Sequence, residues 1–184
     1  MKRQNGPGIP RRSWAGPLLV SEPSDLAKIH ELRQSVWQSE PELFDYYKVD
    51  PSTLRDDHDG HGYHWIITVK GSVVAAARLC IHADAGELPY QQGFSHLITD
   101  IPRPIASLNR MVVHPSMRRQ GVTRPLTEAR IAAARAKGAR SMIVEAVPNR
   151  LQPLLDLGFT ELGLTEGTRE NAVYFTLMYL CLFA

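Results

Sequence analysis

Val113-His114-Pro115-Ser116-Met117-Arg118-Arg119-Gln120-Gly121-Val122-Thr123-Arg124-Pro125-Leu126 carries the chain from a β-rich run into a helical one through a turn rich in arginine, with a glycine and a threonine. Such a junction suits an anion. The first N–H groups of a helix have no partner inside it, and the helix dipole puts partial positive charge there. Gly121 lets a phosphate approach the backbone, and Arg118, Arg119 and Arg124 add charge. Pro125 has no N–H, so it fits the first helical turn at little cost while removing one donor. The plainer reading is an arginine-rich turn that solvates a helix start.

Downstream, residues from Arg124 read as a helix in which Ala129, Ala132, Ala133 and Ala136 form a small-residue face that would let it approach a sheet closely, closed by Gly138 at the C′ position. Ser141–Val147 reads as a strand, Arg150–Leu157 as a short helix ending at Gly158, and Phe159–Leu164 and Val173–Leu180 as two last strands. Upstream, Ser107–Val113 is a strand stopped by Pro115. The stretch 82–104, with Gly86, Pro89, Gly93, Pro102 and Pro104, is a long connection without a strand, either a functional loop or a surface excursion. His64–Val69 and Val73–Ile81 form a hairpin around Lys70-Gly71-Ser72, preceded by a polar loop from Asp50 to Tyr63. Before them come a short strand at Pro17–Val20 and a helix capped by Ser24, with Leu26, Ile29, Leu32, Val36 and Trp37 at helical spacing; a second short helix follows Pro41. This order predicts an α/β (α+β) fold, a mixed central sheet flanked by helices.

At roughly 150 residues per domain, 184 residues predict one domain over 14–184 behind a flexible tail, 1–13. Lys plus Arg number 21 against 19 for Asp plus Glu, too even a balance to argue for nucleic acid. Cys80 and Cys181 match no metal-ligand spacing and point to a reducing compartment, with a single disulfide left open. The basic N-terminus is broken by Gly and Pro and lacks the apolar core of a secretory signal. No run approaches the roughly 18 apolar residues of a membrane span, and Ala172–Ala184 reads as a buried strand. The expectation is a cytoplasmic protein that binds neither membrane nor nucleic acid, as monomer or homodimer. Asp56-Asp57-His58-Asp59-Gly60-His61-Gly62-Tyr63-His64 matches no zinc signature and reads as a solvated or acceptor-binding loop, so no metal is expected. Dinucleotide, P-loop, hydrolase-elbow and zincin motifs are absent from the sequence.

The Arg118–Thr123 segment resembles the pyrophosphate-binding signature of the GNAT acetyltransferase superfamily, Arg/Gln-x-x-Gly-x-Gly/Ala after a strand. Arg118 and Gly121 match it, while Thr123 stands where the family has Gly or Ala. Asn149 after the next strand and the Gly158-Phe159 pair extend the resemblance over roughly Leu18–Leu180. It implies a mostly antiparallel sheet and an enzyme that carries an acyl group from acetyl-CoA, or another acyl-CoA, to the primary amine of a small molecule by direct attack. Met111, Val112 and Val113 would hold pantetheine and polarise the thioester carbonyl. Arg118, Arg119, Gln120, Gly121, Val122, Thr123 and Arg124 would hold the pyrophosphate, and Asn149 a pantetheine amide; Asn149 reads equally as a turn residue.

The usual proton-transfer residues are missing: Ser107 stands where many members have a basic Glu, and Leu154 where many have an acidic Tyr. Glu145 is the expected base, its plainer reading being an ion pair at a sheet edge. The first half also resembles the acyl-homoserine-lactone synthases and the related N-acyl amino acid synthases, through Arg33 with Trp37, Asp56 with Asp59, Arg78-Leu79, Phe94 and Arg110. That likeness implies Arg33, Trp37, Arg78 and Phe94 as substrate residues and a longer acyl chain as alternative cargo, delivered by acyl-CoA or acyl carrier protein. The missing Glu and Tyr leave a further alternative, a catalytically silent fold that senses acyl-CoA or binds a partner.

Overall fold

A computed structural model describes residues 14–39, 54–166 and 174–183. The expected tail and the short helix after Pro41 lie outside them. Seven strands form one sheet in the order β1-β2-β3-β4-β5-β7-β6: β1 Ala15–Leu19, β2 Tyr63–Val69, β3 Ser72–His82, β4 Ile105–Val113, β5 Ser141–Ala146, β6 Thr160–Leu164 and β7 Thr176–Cys181. Every neighbouring pair is antiparallel except β4 and β5, which helix α2, Thr123–Ala136, joins as a parallel crossover. Helix α1 spans Pro23–Gln38 and α3 spans Pro148–Leu155. The mixed, mostly antiparallel sheet flanked by helices is the expected one.

Strand alternation divides the core between two faces. Trp65, Ile67, Ala75, Ala77, Met142 and Met178 point to the α2 and α3 side. Their neighbours Ile66 and Ala76 meet Ile29, Leu32 and Val36 of α1, while Ile143 and Leu177 meet Leu88, Phe94 and Ile98 of the connection 83–104. That connection has no strand; it carries three single 3-10 turns at 85–87, 91–93 and 95–97, and Leu88, Phe94 and Ile98 pack it against the sheet while most of its other residues stay exposed.

Two local expectations are corrected. Glu22, not Ser24, occupies the cap of α1 because Pro23 takes the first helical position, and no side chain bonds the cap. In α2 the buried stripe is Leu126, Thr127, Arg130, Ile131 and Ala134, so Ala132 and Ala136 face solvent; larger side chains fill the space to the sheet instead of a close alanine approach. Cys80 is buried and Cys181 exposed, both free thiols, which closes the disulfide question. No described helix is long and apolar enough to cross a membrane, and the described residues hold no cluster of metal-ligating side chains.

Candidate active site and donor cleft

The parallel seam is short. β4 and β5 pair only at Ile105–Ser141, Ala106–Met142 and Ser107–Ile143, and both strands then run on apart. The cause lies in β4: between Ala76–Val112 and Arg78–Asn109 it carries one residue more than β3, and Arg110 adopts a left-handed φ of 52° there. Such a bulge bends its strand and leaves backbone groups without a ladder partner. The wedge opens onto a pocket of about 220 Å³ lined by Arg78, Phe94, Ser107, Asn109, Arg110 and Glu145, with Tyr90 at its mouth.

Glu145 stands on an interior strand, between β4 and β7, so the sheet-edge reading fails. No described residue forms an ion pair with it, and burial pushes its carboxyl up to about 7. A carboxyl poised near neutrality in a pocket can take or give a proton at little cost. Across the wedge, the Ser107 hydroxyl shares a 2.9 Å hydrogen bond with His82 Nε2 and accepts one from Asn109 Nδ2 at 3.1 Å. Burial holds the His82 imidazole below its usual range.

Asn109 continues into a buried charge network. Its Oδ1 accepts from Arg78 Nε at 2.6 Å, and the Arg78 guanidinium pairs with both Asp56 and Asp59. Arg33 Nη1 donates to Asp59 at 2.8 Å and to the Leu54 carbonyl at 3.0 Å. Arg110 Nη2 donates to Asp56 at 2.6 Å and to the Tyr90 hydroxyl at 3.2 Å. The stretch expected to be a solvated or acceptor-binding loop therefore turns Asp56 and Asp59 inward, while Asp57, Gly60 and His61 stay exposed. Arg33 and Arg78, 2% and 1% exposed, draw Asp59 down, and a 3-10 turn at 57–59 aligns both aspartates. Of the four expected substrate residues, Arg78 and Phe94 line the pocket. Arg33 stands behind it on α1, anchoring Asp59, and Trp37 lies half-buried near the end of the same helix, away from the lining.

Gly62 is where this loop crosses Arg78. A Cβ there would sit 2.8 Å from Arg78 Cγ and Cδ and 2.9 Å from the His58 carbonyl oxygen. Gly62→Ala is expected to cost about 1–3 kcal/mol through overpacking, read as a lowered thermal midpoint; an unchanged midpoint would show that the crossing has slack.

The arginine-rich turn is built as an anion cradle would be. Pro115–Met117 forms a 3-10 turn, Arg119 and Gly121 take positive φ of 62° and 72°, and Gln120 Nε2 donates to the Ser116 carbonyl at 2.8 Å. Buried Val122 pins the turn, and no side chain caps the α2 N-terminus that follows. Arg118, Arg119 and Arg124 are exposed, Arg124 bonding Glu128 at 2.8 Å. A smaller groove of about 90 Å³ runs from Thr123 and Arg124 to Arg150 and Leu154 on α3. Met111 and Val113 are half-buried at the end of β4, while Val112 turns away to pack on α1. Asn149 is exposed and lines neither cavity, and Leu154 is core. His82, Asn109, Tyr90 and Arg150 went unnoticed as site residues; only strand register and the α3 approach bring them there.

The sequence profile described as the Acetyltransferase (GNAT) family matches residues 26–159. No curated protein matches the chain by sequence. Among solved structures, FeeM, an N-acyl amino acid synthase from uncultured soil microbes, shares 9% identity at a TM-score of 0.68, covering 95% of this chain and 92% of its own. The acyl-homoserine-lactone synthase LasI shares 15% at 0.65 over 92% of each chain. The ribosomal-protein-S18-alanine N-acetyltransferase of Escherichia coli shares 18% at 0.58, covering 91% of this chain and 94% of its own. At these identities the structures are alike in fold alone.

Proposed function

Because this chain belongs to the GNAT acetyltransferase family, we propose that it is an N-acyltransferase that moves an acyl group, in the first instance acetyl, from acyl-CoA to the amine of a small molecule by direct attack. The observation that carries the reading is a neutral-range carboxyl, Glu145, in the pocket where β4 and β5 part, together with an uncapped, arginine-flanked helix start in the segment that follows β4. The residues present fit such a donor. Unpaired backbone beyond Ser107 on β4 offers hydrogen bonds to an amide-bearing arm, and Arg118, Arg119 and the turn around Gly121 face its phosphates. Glu145 would take the proton that the amine must lose, and an N–H of β4 near Met111 would stabilise the oxyanion more strongly in the transition state than in the ground state.

Thermal unfolding in the presence of CoA, acetyl-CoA and a long-chain acyl-CoA tests the reading. A ligand at about 100 times its Kd adds about 2.7 kcal/mol, which in a chain of this size raises the midpoint by roughly 5–10 °C. Arg119→Glu is expected to erase that shift. No shift with any donor overturns the reading. A second reading keeps the fold and lengthens the cargo: Leu88, Phe94 and Ile143 give the pocket an apolar wall, which favours a longer acyl chain brought by acyl-CoA or acyl carrier protein. The largest shift with the longest donor would select it. Binding without turnover across an amine panel would instead favour a silent acyl-CoA sensor.

A further inference from the structure

Arg150 is a cation that the described residues do not neutralise. It stands in the first turn of α3, half-buried, and its Nη1 reaches across to Met111 Sδ at 3.1 Å, joining α3 to the free end of β4. It also lines the groove that begins at Thr123 and Arg124. A thioether is a weak acceptor and does not offset the dehydration of a guanidinium. No described carboxylate pairs with it: Glu128 pairs with Arg124 at 2.8 Å, and Asp156 lines the same groove but accepts from the neutral Gln152 amide, Nε2 at 2.8 Å, instead.

A second, fully buried cation lies within the electrostatic reach of Arg150. Arg130, 2% exposed, satisfies its own donors on the Leu126 and Arg78 carbonyls and the Thr127 hydroxyl, yet remains an unneutralised cation. Burial and the charge of Arg150 push its guanidinium down to about 9. Burial alone holds Arg150 below its usual value. Neither cation has an ion-pair partner among the described residues, and an anion entering the groove beside Arg150 would give it one.

We propose that Arg150 is a second anchor for the donor, holding one of its phosphates where the α2–α3 groove meets the free end of β4. The inference rests on the acyl-CoA reading and adds to it a residue outside the arginine-rich turn. An entering phosphate would exchange a weak sulfur contact for a charge-assisted hydrogen bond.

The test is calorimetric titration of wild type, Arg150→Gln and Arg150→Met with CoA, dephospho-CoA and the phosphate-free S-acetyl-pantetheine. Both variants should bind CoA about tenfold more weakly or worse. They should bind the phosphate-free ligand as wild type does, and without ligand should unfold no earlier. A loss with CoA but not with dephospho-CoA assigns the 3′-phosphate; equal losses assign the pyrophosphate. Wild-type affinity for CoA in both variants overturns the proposal alone, as does an equal loss of S-acetyl-pantetheine, which would mark a packing role. Failure of wild type to bind any of the three removes the acyl-CoA reading and this inference with it.

Discussion

Glu145→Gln is expected to lower kcat by about 10²–10⁴-fold, the usual span for a lost general base, with the KM for acyl-CoA nearly unchanged because the contacts proposed for the donor lie elsewhere. The pH dependence is the sharper readout. With its carboxyl pushed up to about 7, wild-type activity should rise through neutrality as Glu145 loses its proton, then level off; that limb should vanish in the variant. Stability should move the other way. A carboxyl whose folded pKa lies above its unfolded value of 4.5 favours the folded state fully below that value, and the advantage disappears as pH rises through about 7. Above neutrality the wild type carries a poorly solvated carboxylate that glutamine lacks. The variant should therefore be the more stable protein at pH 8, by on the order of 2 kcal/mol, and the two should converge near pH 4. Wild-type kcat in Glu145→Gln at pH 8 would remove this residue from the chemistry.

Asp59→Asn is expected to give the largest loss of stability. The substitution keeps shape and removes one charge, but that charge faces Arg33 at 2.8 Å and Arg78 at 2.7 Å, both nearly inaccessible to water. Breaking a buried pair by neutralising one partner costs about 3–5 kcal/mol, so the thermal midpoint should fall by roughly 10 °C. Burial by itself would raise the Asp59 carboxyl, but the hydrogen bond and charge of Arg33, with Arg78 and His30, outweigh it and hold the group far below the usual range. Its contribution is therefore complete above the ordinary carboxylate pKa of about 4 and is lost as pH falls below it. Wild type should lose stability on acidification and the variant should lack that component. A variant within about 1 kcal/mol of wild type at pH 7 would show that Asp56 alone neutralises both arginines.

The contrast between these sites and the arginine-rich turn shows what a sequence can disclose. The turn is local: strand end, glycine, arginines and helix start follow one another in the chain, so its chemistry is readable from neighbours. Glu145 was reachable in the same way, as an acid on a strand leaving that region, although only the parallel seam shows that it faces a pocket. The aspartates were not so readable. Asp56 and Asp59 looked like a polar loop because nothing nearby in sequence is their partner; Arg33, Arg78 and Arg110 reach them from α1, β3 and the β4 bulge. In α2 the small-residue spacing pointed to an alanine face, whereas the buried stripe includes Arg130, whose donors are taken up in the core by carbonyls of α2 and β3. His82 and Ser107 meet only because β3 and β4 adopt one register out of several that their apolar patterns allow.

The three-rung seam between β4 and β5 has a mechanical meaning. Among the described residues it is the sole ladder linking a four-stranded block, β1 to β4, with a three-stranded one, β5 to β7. The sheet is thus two antiparallel plates welded along one short edge, and a molecule lying in the gap beyond the weld touches both. Such a molecule would act as a brace, resisting rotation of one plate against the other. A donor bound as proposed would therefore couple the two plates, and should do so more strongly the further it extends from Ser107 toward the helix start at Thr123.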